Sequence, residues 1–500
     1  MNESYLVMIK RILISVFGVF FFSDSSLVAQ NVYKIDKAKI QAEINKLTKL
    51  KSLDLGFCLF SPKGELIISY NGNQNLIPAS TLKIFTTGAA IDLLGRNFKY
   101  ETQIQYDGYI DNCGVLYGNI FIKGSGDPSL GSERFLDNPS YGELINTFSD
   151  EIKKLGITEI KGNIIGDNSA FFECLTPESW PLDDQANYYG AAPNGLTINE
   201  NSYKLFFKPG KTVGSNTEII GTDPTEIPGL ILKNNVTTYR QGSGDRAVIM
   251  EDPFHQTKEI VGTIPAGVKS FYIKGSVPDP ASLTASLLLK SLKGRGIKVN
   301  GRFTSIYHSE QNNYLPFRNT IYTHVSPPLI DIITQVNMRS HNLFAETLII
   351  TLGKVFRGIG GQEQGLEAAF QYWDSKGIDI EKADIFDGCG LSPLNKISAD
   401  ILAKMLFSIR QDSSFNDFLM TLPISGTSGT LKNFCKNSPA EGRIFAKSGY
   451  IEGVRSYAGY ALSKSGNYFP FALIINRYEG SYSSLTHSLE GIMELMTNIQ

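Results

Sequence analysis

A strong charge of either sign is missing from this 500-residue sequence, in which 47 lysines and arginines oppose 49 aspartates and glutamates. Long basic runs, heptads, low-complexity tracts and internal repeats are missing as well. Because proteins that bind nucleic acid concentrate positive charge on one surface, we expect no nucleic-acid partner. The length and the hydrophobic content of 42% are typical of a globular protein with more than one domain.

Cysteine and histidine are scarce, with five residues of each. The cysteines show no C-x-x-C spacing and no neighbouring histidine pattern, so we predict no zinc site and no cofactor. The odd number of cysteines leaves at least one thiol without a partner in the chain. No disulfide pairing follows from the sequence.

The N-terminus contains a short apolar segment. Lys10 and Arg11 precede an apolar run from Ile12 to Phe22, and Leu27-Val28-Ala29 follows a polar stretch. This order is typical of a secretory signal peptide, and the run is shorter than the roughly 20 residues of a membrane-spanning helix. We expect residues 1–29 to be a signal peptide and the protein to be exported to the periplasm or the extracytoplasmic cell envelope. An uncleaved anchor, with peripheral membrane association, is the alternative.

The most informative stretch is residues 77–83, which predicts the start of a helix with a nucleophile at its first turn. Pro78 is favourable at a helix start, and Gly95 predicts the end. Ser80 and Lys83 are three residues apart, so they share one face of the helix. A hydroxyl needs a base to take its proton, and a buried lysine of lowered pKa can be that base. Alone, however, S-x-x-K is short enough to occur by chance.

A second pattern, Ser340-His341-Asn342, follows about 260 residues later, between two predicted helices. Acyl transfer needs a proton carrier to the leaving group in addition to a nucleophile and a base. Ser340 can carry that proton from Lys83, and Asn342 can hold Lys83 and a substrate amide. We expect His341 to be a solvent-facing loop residue.

A third pattern, Lys447-Ser448-Gly449, lies on a predicted strand. Lys447 and Ser448 offer a cation and a hydroxyl to a substrate carboxylate. Gly449 lets a substrate backbone approach the strand edge. A second copy, residues 464–466, falls between two predicted strands and predicts a turn.

The periodicity of the chain divides it into two regions. Residues 31–96 and 306–500 predict one discontinuous α+β catalytic domain, and residues 97–305 predict a β-rich insert of two modules. The elements predicted for the catalytic domain are helices at 33–50, 329–336, 342–354, 364–376, 399–408 and 484–499, a hairpin at 55–70, and strands at 442–449, 454–462 and 469–476.

The order S-x-x-K, S-x-N, K-S-G is similar to the motif set of penicillin-binding proteins and class A β-lactamases. Five further segments are similar to segments of one family: residues 337–346, 387–392, 429–431, 124–128 and 180–184. On these residues the chain resembles the class C low-molecular-weight penicillin-binding proteins, the D-alanyl-D-alanine carboxypeptidase/endopeptidase family (peptidase family S13). The resemblance covers about residues 35–490. A compact β-lactamase has no room for the gap between the first two motifs, where this family carries extra domains.

The resemblance implies an α+β, serine β-lactamase/penicillin-binding-protein-like transpeptidase fold, an antiparallel sheet with helices interrupted by the large insert. It implies hydrolysis of the peptide bond after D-Ala in peptidoglycan stem peptides, through an acyl-enzyme on Ser80 activated by Lys83. β-Lactam antibiotics such as penicillin are then expected to be covalent inhibitors. By family analogy, the N–H groups of Ser80 and Tyr450 form the oxyanion hole.

Four positions depart from the family pattern: His341 within S-x-N, Cys389 in place of a serine, Ser448 in place of the threonine of K-T-G, which keeps the hydroxyl, and Tyr450 where a small hydroxyl residue is common. The Tyr450 side chain can narrow the pocket for the terminal D-Ala. A β-lactamase, and a non-catalytic peptidoglycan-binding protein on the same scaffold, are the alternatives. A protein that only binds peptidoglycan does not need the complete set of three motifs. The sequence does not distinguish carboxypeptidase from endopeptidase preference and does not indicate the oligomeric state.

Overall fold

The computed structural model describes residues 33–49, 53–172, 176–251, 257–309, 317–478 and 482–500. Residues Ile35–Gln500 form one compact unit. The predicted signal peptide, residues 1–29, lies outside the described residues. Among the helices in the described part of the chain, none is both long and apolar enough to cross a membrane.

Helices and short strands occur along the whole described chain. The helices are α1 (Lys37–Thr48), α2 (Lys83–Leu94), α3 (Tyr141–Lys154), α4 (Leu182–Gln185), α5 (Pro280–Gly294), α6 (Leu329–Arg339), α7 (Asn342–Arg357), α8 (Gln362–Ser375), α9 (Ala399–Gln411), α10 (Phe415–Thr421) and α11 (Tyr482–Thr497). The strands are β1 (Asp54–Phe60), β2 (Leu66–Tyr70), β3 (Asn75–Leu76), β4 (Glu101–Tyr106), β5 (Tyr109–Ile110), β6 (Val115–Tyr117), β7 (Ile120–Lys123), β8 (Glu159–Ile160), β9 (Ile164–Asp167), β10 (Ser202–Lys208), β11 (Glu218–Asp223), β12 (Ile231–Asn234), β13 (Thr237–Tyr239), β14 (Arg246–Met250), β15 (Thr257–Pro265), β16 (Phe271–Ser276), β17 (Lys298–Val299), β18 (Phe303–Ser305), β19 (Asn319–Val325), β20 (Ile397–Ser398), β21 (Ile444–Ile451), β22 (Val454–Leu462) and β23 (Tyr468–Asn476).

A five-stranded antiparallel sheet, with the strand order β2-β1-β23-β22-β21, brings the two ends of the chain together. Asp54 on β1 lies opposite Asn476 on β23. Helices α9 and α11 contact this sheet, and α1 packs on α11. Because helices cover the sheet, β1, β22 and β23 are buried along most of their length.

Helix α2 is the central helix, and its first nine residues are all buried. It packs against α6, α7, α8 and α9, so an apolar surface on every side is expected. Gly88 is required here, because a Cβ atom at this position would lie 2.9 Å from the Trp373 ring. The Trp373 Nε1–H also donates to Phe85 O at 3.0 Å, which ties α8 to α2. The helix ends at Gly95, with φ of 80°, as the sequence predicts.

Further sheets are built mainly from the residues between α2 and α6. Their strand orders are β11-β10-β16, β12-β15-β13 with β14 beside β15, β17-β8-β6-β5 and β18-β9-β7-β4-β19. The parallel neighbours β7, β9 and β18 are connected through α3 and α5, as parallel pairing requires. Strand β19 follows residue 305 but pairs with β4. The division into a catalytic domain and a two-module insert stays a prediction.

Most predicted elements of the sheet and its helices are confirmed. The helices predicted at 329–336, 342–354 and 399–408 are each longer by three residues at the C-terminal end. Two features differ from the prediction. Helix α10 was not predicted, because its seven residues are too few for a helical period to be recognised. Ser80 lies on a 3₁₀ turn, Ala79–Leu82, ahead of α2 rather than on the α-helix itself.

Candidate active site

The 3₁₀ turn Ala79–Leu82 presents Ser80 from a fixed backbone. The N–H and the hydroxyl of Thr81 both donate to Pro78 O. Ala79 has φ of 46°, a left-handed conformation that a residue with a Cβ atom adopts only when its surroundings impose it. The other three residues of the turn are buried. Ser80 is half-buried and lines a cleft of about 360 Å³. The Ser80 hydroxyl is therefore accessible from this cleft.

Lys83, the first residue of α2, is fully buried beside Ser80. Its Nζ lies 3.0 Å from Ser80 Oγ and donates to Asn342 Oδ1 at 2.7 Å and to Cys389 O at 2.6 Å. Burial lowers the pKa of Lys83 and so favours the neutral amine. A neutral amine has two N–H groups and one lone pair, and the two carbonyl oxygens can only accept. They occupy both N–H groups, which leaves the lone pair for the Ser80 hydroxyl.

Asn342 is the first residue of α7, and its amide is oriented by contacts on both sides. The Oδ1 atom accepts from Lys83, and the Nδ2–H donates to Tyr189 O at 2.9 Å. The second contact fixes which amide atom faces Lys83. Tyr189 lies within residues 97–305, so the predicted insert supports the site directly.

Ser340 lies in the two-residue link between α6 and α7. Its φ of 59° and ψ of 40° are left-handed, which lets the chain leave one helix and start the next within two residues. The Nζ of Lys447 donates to Ser340 Oγ at 3.0 Å. Ser340 lines the same cleft as Ser80. The structure thus brings the first two motifs to one cavity.

Lys447 on β21 is fully buried, behind Ser340. Its Nζ also donates to Ser448 O at 2.6 Å. Burial lowers the pKa of Lys447 well below its usual range, and the neighbouring Lys83 acts in the same direction when its amine is protonated. Ser448, but not Lys447, is among the described residues that line the cleft. The binding of a carboxylate by Lys447 stays a prediction.

Ser448 and Gly449 lie on the wall of the cleft next to the Ser80 turn. The Ser448 hydroxyl donates to Thr430 Oγ1 at 2.7 Å. A Cβ atom at Gly449 would lie 2.7 Å from Pro78 O and 2.9 Å from Ser80 N. The glycine therefore lets β21 lie directly against the turn that carries Ser80, a contact that the sequence did not indicate.

Tyr450 lines the cleft with a side chain that is 60% exposed. The guanidinium carbon of Arg455, which lies opposite Tyr450 on β22, is 3.7 Å from the centre of its ring. Arg455 lines the cleft as well. The effect of Tyr450 on the pocket for the terminal D-Ala, and its part in an oxyanion hole, stay predictions.

The prediction that His341 faces solvent is wrong, because its side chain is only 10% exposed. The ring stacks on Phe344 with 4.0 Å between centroids, and Nε2 lies 2.9 Å from Glu200 Oε2. Glu200 Oε1 accepts from Ser132 Oγ at 2.7 Å and from Arg134 Nε at 2.8 Å. Burial opposes ionisation of Glu200, but His341 and these donors hold its pKa well below the usual range. His341 therefore ties the S-x-N link to the predicted insert.

Cys389 contributes to the site through its backbone carbonyl, which the sequence did not indicate. The loop that presents this carbonyl is shaped by Asp387. The Asp387 carboxylate accepts a weak hydrogen bond from Cys389 Sγ at 3.8 Å and four from N–H groups, those of Gly390 N, Ser392 N, Asn395 Nδ2 and Trp180 Nε1. A backbone acceptor has no residue signature, so only the similarity of residues 387–392 to a family segment marked this loop.

Glu346, Asp387 and Cys389 are the one group of potential metal ligands in the described residues, with ligand atoms within 4.8 Å of one another. Both Asp387 oxygens are already occupied by N–H donors, and Glu346 Oε1 accepts from Gly388 N at 2.8 Å. Burial and the charge of Asp387 raise the pKa of Glu346 to about 8. A protonated carboxyl that supports the loop fits this cluster better than a bound cation does.

Comparison with known proteins identifies the family of this chain. Residues 37–494 match the D-Ala-D-Ala carboxypeptidase 3 (S13) family. The chain is 26% identical over 431 residues to D-alanyl-D-alanine carboxypeptidase of Actinomadura sp. (strain R39), covering 83% of this chain and 76% of that protein. It is 25% identical over 423 residues to D-alanyl-D-alanine carboxypeptidase DacB of Haemophilus influenzae, covering 83% and 84%.

The fold has a close counterpart among solved structures. The crystal structure of penicillin binding protein 4 (dacB) from Haemophilus influenzae matches with a TM-score of 0.76 at 23% identity, covering 90% of this chain and 97% of that one. A structure of the same protein complexed with a β-lactam matches with a TM-score of 0.72. The predicted α+β, penicillin-binding-protein-like fold is confirmed. Since the family match spans nearly the whole described chain, the protein belongs to the D-Ala-D-Ala carboxypeptidase 3 (S13) family and is a serine-type D-Ala-D-Ala carboxypeptidase.

Proposed function

We propose that Ser80 is the nucleophile and Lys83 the general base of this carboxypeptidase. The observation that carries the proposal is the 3.0 Å contact of Lys83 Nζ with Ser80 Oγ, while two carbonyl oxygens occupy the other positions around the amine. Ser80 Oγ attacks the carbonyl carbon of the penultimate D-Ala as its proton passes to Lys83. The N–H groups of Ser80 and Tyr450 receive the oxyanion.

Ser340 carries the proton to the leaving group. The C–N bond breaks, the nitrogen of the terminal D-Ala takes the Ser340 hydroxyl proton, and the proton held by Lys83 replaces it. The hydrogen bond from Lys447 Nζ to Ser340 Oγ stabilises the negative charge that develops there. Asn342 keeps Lys83 in place, and a water molecule, deprotonated by Lys83, then hydrolyses the Ser80 ester.

The substrates are the stem peptides of peptidoglycan, cleaved by carboxypeptidase or endopeptidase action. β-Lactams are expected to acylate Ser80 and remain attached, since no separate base for deacylation is recognisable. The β-lactam complex of the Haemophilus influenzae protein, which has the same fold, supports this part of the proposal.

The protein is proposed to act in the periplasm or the extracytoplasmic envelope. Residues 1–29 support this localisation, because their order of charged, apolar and small residues is that of a signal peptide. Cell fractionation, with mass spectrometry of the mature N-terminus, tests this. A full-length N-terminus in the cytoplasmic fraction would contradict it.

The experiment for the site measures release of D-Ala from an acyl-D-Ala-D-Ala peptide. Ser80→Ala and Lys83→Met are expected to lower kcat by at least about 10³-fold, the size of a lost nucleophile or base. The second K-S-G offers a matched control: Ser448→Ala is expected to lower kcat/KM, whereas Ser465→Ala, on an exposed turn, should not. Full activity of Ser80→Ala would overturn the proposal.

Nitrocefin hydrolysis distinguishes the proposed carboxypeptidase from the β-lactamase alternative. The proposal predicts a burst of one equivalent followed by very slow turnover. Digestion of cross-linked muropeptides then shows whether endopeptidase products form. Sustained, fast turnover of nitrocefin would assign β-lactamase activity to the same serine.

A further inference from the structure

The active-site cleft has an apolar wall in addition to its two serines. Ser80 and Ser340 line the cleft, and so do Leu431, Phe434 and Tyr457. None of these three apolar or aromatic residues belongs to one of the three motifs. The volume of about 360 Å³ is within the range of pockets that bind small molecules, roughly 300–1,000 Å³. The motifs therefore do not indicate what covers this wall when a substrate is bound.

Phe434 and Tyr457 form a stacked pair of rings in the wall. The ring centroids lie 4.8 Å apart, and the ring planes differ by 11°. Both side chains are nearly buried, with 5% and 4% of their surface exposed. Stacking at this distance is favourable in addition to the burial of area, so each ring supports the other. The pair presents a fixed apolar surface to the cleft.

The backbone that carries the ring pair is fixed as well. Tyr457 lies opposite Ser448 in the pairing of β22 with β21. The N–H of Cys435, the residue after Phe434, donates to Glu490 Oε1 at 2.8 Å. The wall is thereby joined on one side to the strand of the third motif and on the other side to α11.

The leaving D-amino acid is the part of the substrate that meets this wall. In the proposed reaction Ser340 passes a proton to the leaving nitrogen, so the leaving amino acid lies in the cleft that Ser340 lines. Its α-carboxylate requires polar donors, because an unpaired charge against apolar side chains is costly. Its side chain is the group that gains from contact with the rings.

We propose that Phe434 and Tyr457, together with Leu431, bind the side chain of the leaving D-amino acid and select large apolar side chains at this position. This inference rests on the proposed function of Ser80 and Ser340 and names a substrate class for that site. The methyl group of D-alanine is too small to cover both rings, whereas D-leucine and D-phenylalanine make more contact. Peptides that end in such a residue are the substrates to which this wall is suited.

The test compares acyl-D-Ala-D-Ala with acyl-D-Ala-D-Leu, which differ only in the leaving side chain. D-Leucine adds three carbon atoms, and each methylene group that is fully buried favours binding about fourfold. Because a side chain in a cleft is only partly buried, kcat/KM is expected to be about 5- to 50-fold higher for the D-Leu substrate. An equal or lower value for the D-Leu substrate would overturn the inference.

Two variants of Phe434 show whether the rings set this preference. Phe434→Trp places a larger ring in the wall and is expected to lower kcat/KM for the D-Leu substrate, relative to the D-Ala substrate, by at least about fivefold. Phe434→Leu removes a ring and is expected to raise kcat/KM for acyl-D-Ala-D-Phe, relative to the D-Leu substrate, by about three- to tenfold. A general loss of packing would not shift the preferred size in opposite directions. The absence of both shifts would contradict the inference.

Phe148→Leu is the matched control for these variants. Phe148 is a fully buried phenylalanine of α3, in a hydrophobic cluster that does not include Phe434. This variant should leave both substrate ratios unchanged, and the same shifts in it would count against a role of the rings in the cleft. All rates are divided by the fraction of enzyme that labelled penicillin acylates, so that misfolded protein does not contribute.

Failure of this inference is distinguishable from failure of the proposed function. If only the role of the rings is wrong, labelled penicillin still attaches to Ser80, and the substrate ratios do not respond to the Phe434 variants. If the role of Ser80 is wrong, Ser80→Ala retains activity on all three substrates.

Discussion

His341 Nε2 lies 2.9 Å from Glu200 Oε2, and this pair joins the link that carries Ser340 and Asn342 to a turn about 140 residues earlier in the chain. Glu200 itself has φ of 57°, between Asn199 and Asn201, which also have positive φ values. Such a run of left-handed residues persists only where the surroundings impose it. We interpret the pair as the contact that holds the turn and the S-x-N link together.

Glu200→Gln should therefore destabilise the protein at neutral pH. Burial lowers the pKa of His341, so at pH 7 a neutral imidazole donates to the Glu200 carboxylate. Loss of hydrogen bonds to this charged group costs about 1.5–3 kcal/mol, and urea unfolding at pH 7 measures it. The lowered pKa of Glu200 means that its stabilising effect is present above the unfolded value of about 4.3 and is lost as the pH falls. The difference between wild type and variant should thus shrink at pH 3. A constant difference from pH 7 to pH 3 would contradict this account.

Asn342→Asp should shift the pH dependence of acylation. A carboxylate beside Lys83 favours the ammonium form and raises its pKa, whereas the reaction needs the neutral amine. The rise of the acylation rate with pH is therefore expected to occur at higher pH in the variant. Its rate deficit relative to the wild type should be smaller at pH 10 than at pH 7. Nitrocefin acylation by stopped flow measures this.

Asn342→Ala is the control for that variant, because it removes both contacts of the amide without adding a charge. It should lower the rate without the alkaline shift. The same shift in both variants would show that the charge of position 342 is not what acts on Lys83.

Gly449→Ala should displace the turn that carries Ser80. The added methyl group would lie 2.7 Å from Pro78 O, closer than van der Waals contact, and neither backbone can yield freely. We expect a loss of stability of about 1–3 kcal/mol and a lower acylation rate. Gly142→Ala, on α3 with nothing within 4 Å of the new Cβ atom, should be neutral or slightly stabilising.

Glu346→Gln tests the buried carboxyl under the Cys389 loop. A pKa of about 8 in the folded state means that the folded protein binds the proton more tightly than the unfolded chain does. Stability from this group is present below the unfolded pKa of about 4.3 and is lost as the pH rises through 8. The wild type should lose roughly 2–4 kcal/mol between pH 5 and pH 8.5, and Glu346→Gln should lose much less. Equal losses in the two proteins would contradict the assignment.

The sequence predicted the parts of the site that depend on local spacing. Ser80 and Lys83 are one helical turn apart, and the 3.0 Å contact between them follows from that spacing. The three motifs converge because β1 pairs with β23, which joins residues before and after the predicted insert in one sheet. The antiparallel strands were recognisable because each is a buried run of suitable length.

The contacts that the sequence missed are long-range and involve the backbone. Lys83 donates to Cys389 O, 306 residues away, and Asn342 donates to Tyr189 O, 153 residues away. Every residue has a carbonyl, so no residue type marks these partners. The burial of His341 was missed for a related reason: a two-residue link between helices is normally exposed, and here residues of the predicted insert cover it.

The most direct test of the central claim is peptide mapping by mass spectrometry after brief exposure to penicillin. The account predicts one covalent adduct on the peptide that contains Ser80, formed more slowly in Lys83→Met and not formed in Ser80→Ala. An adduct that persists in a folded Ser80→Ala variant, or no adduct on the wild type, would contradict it.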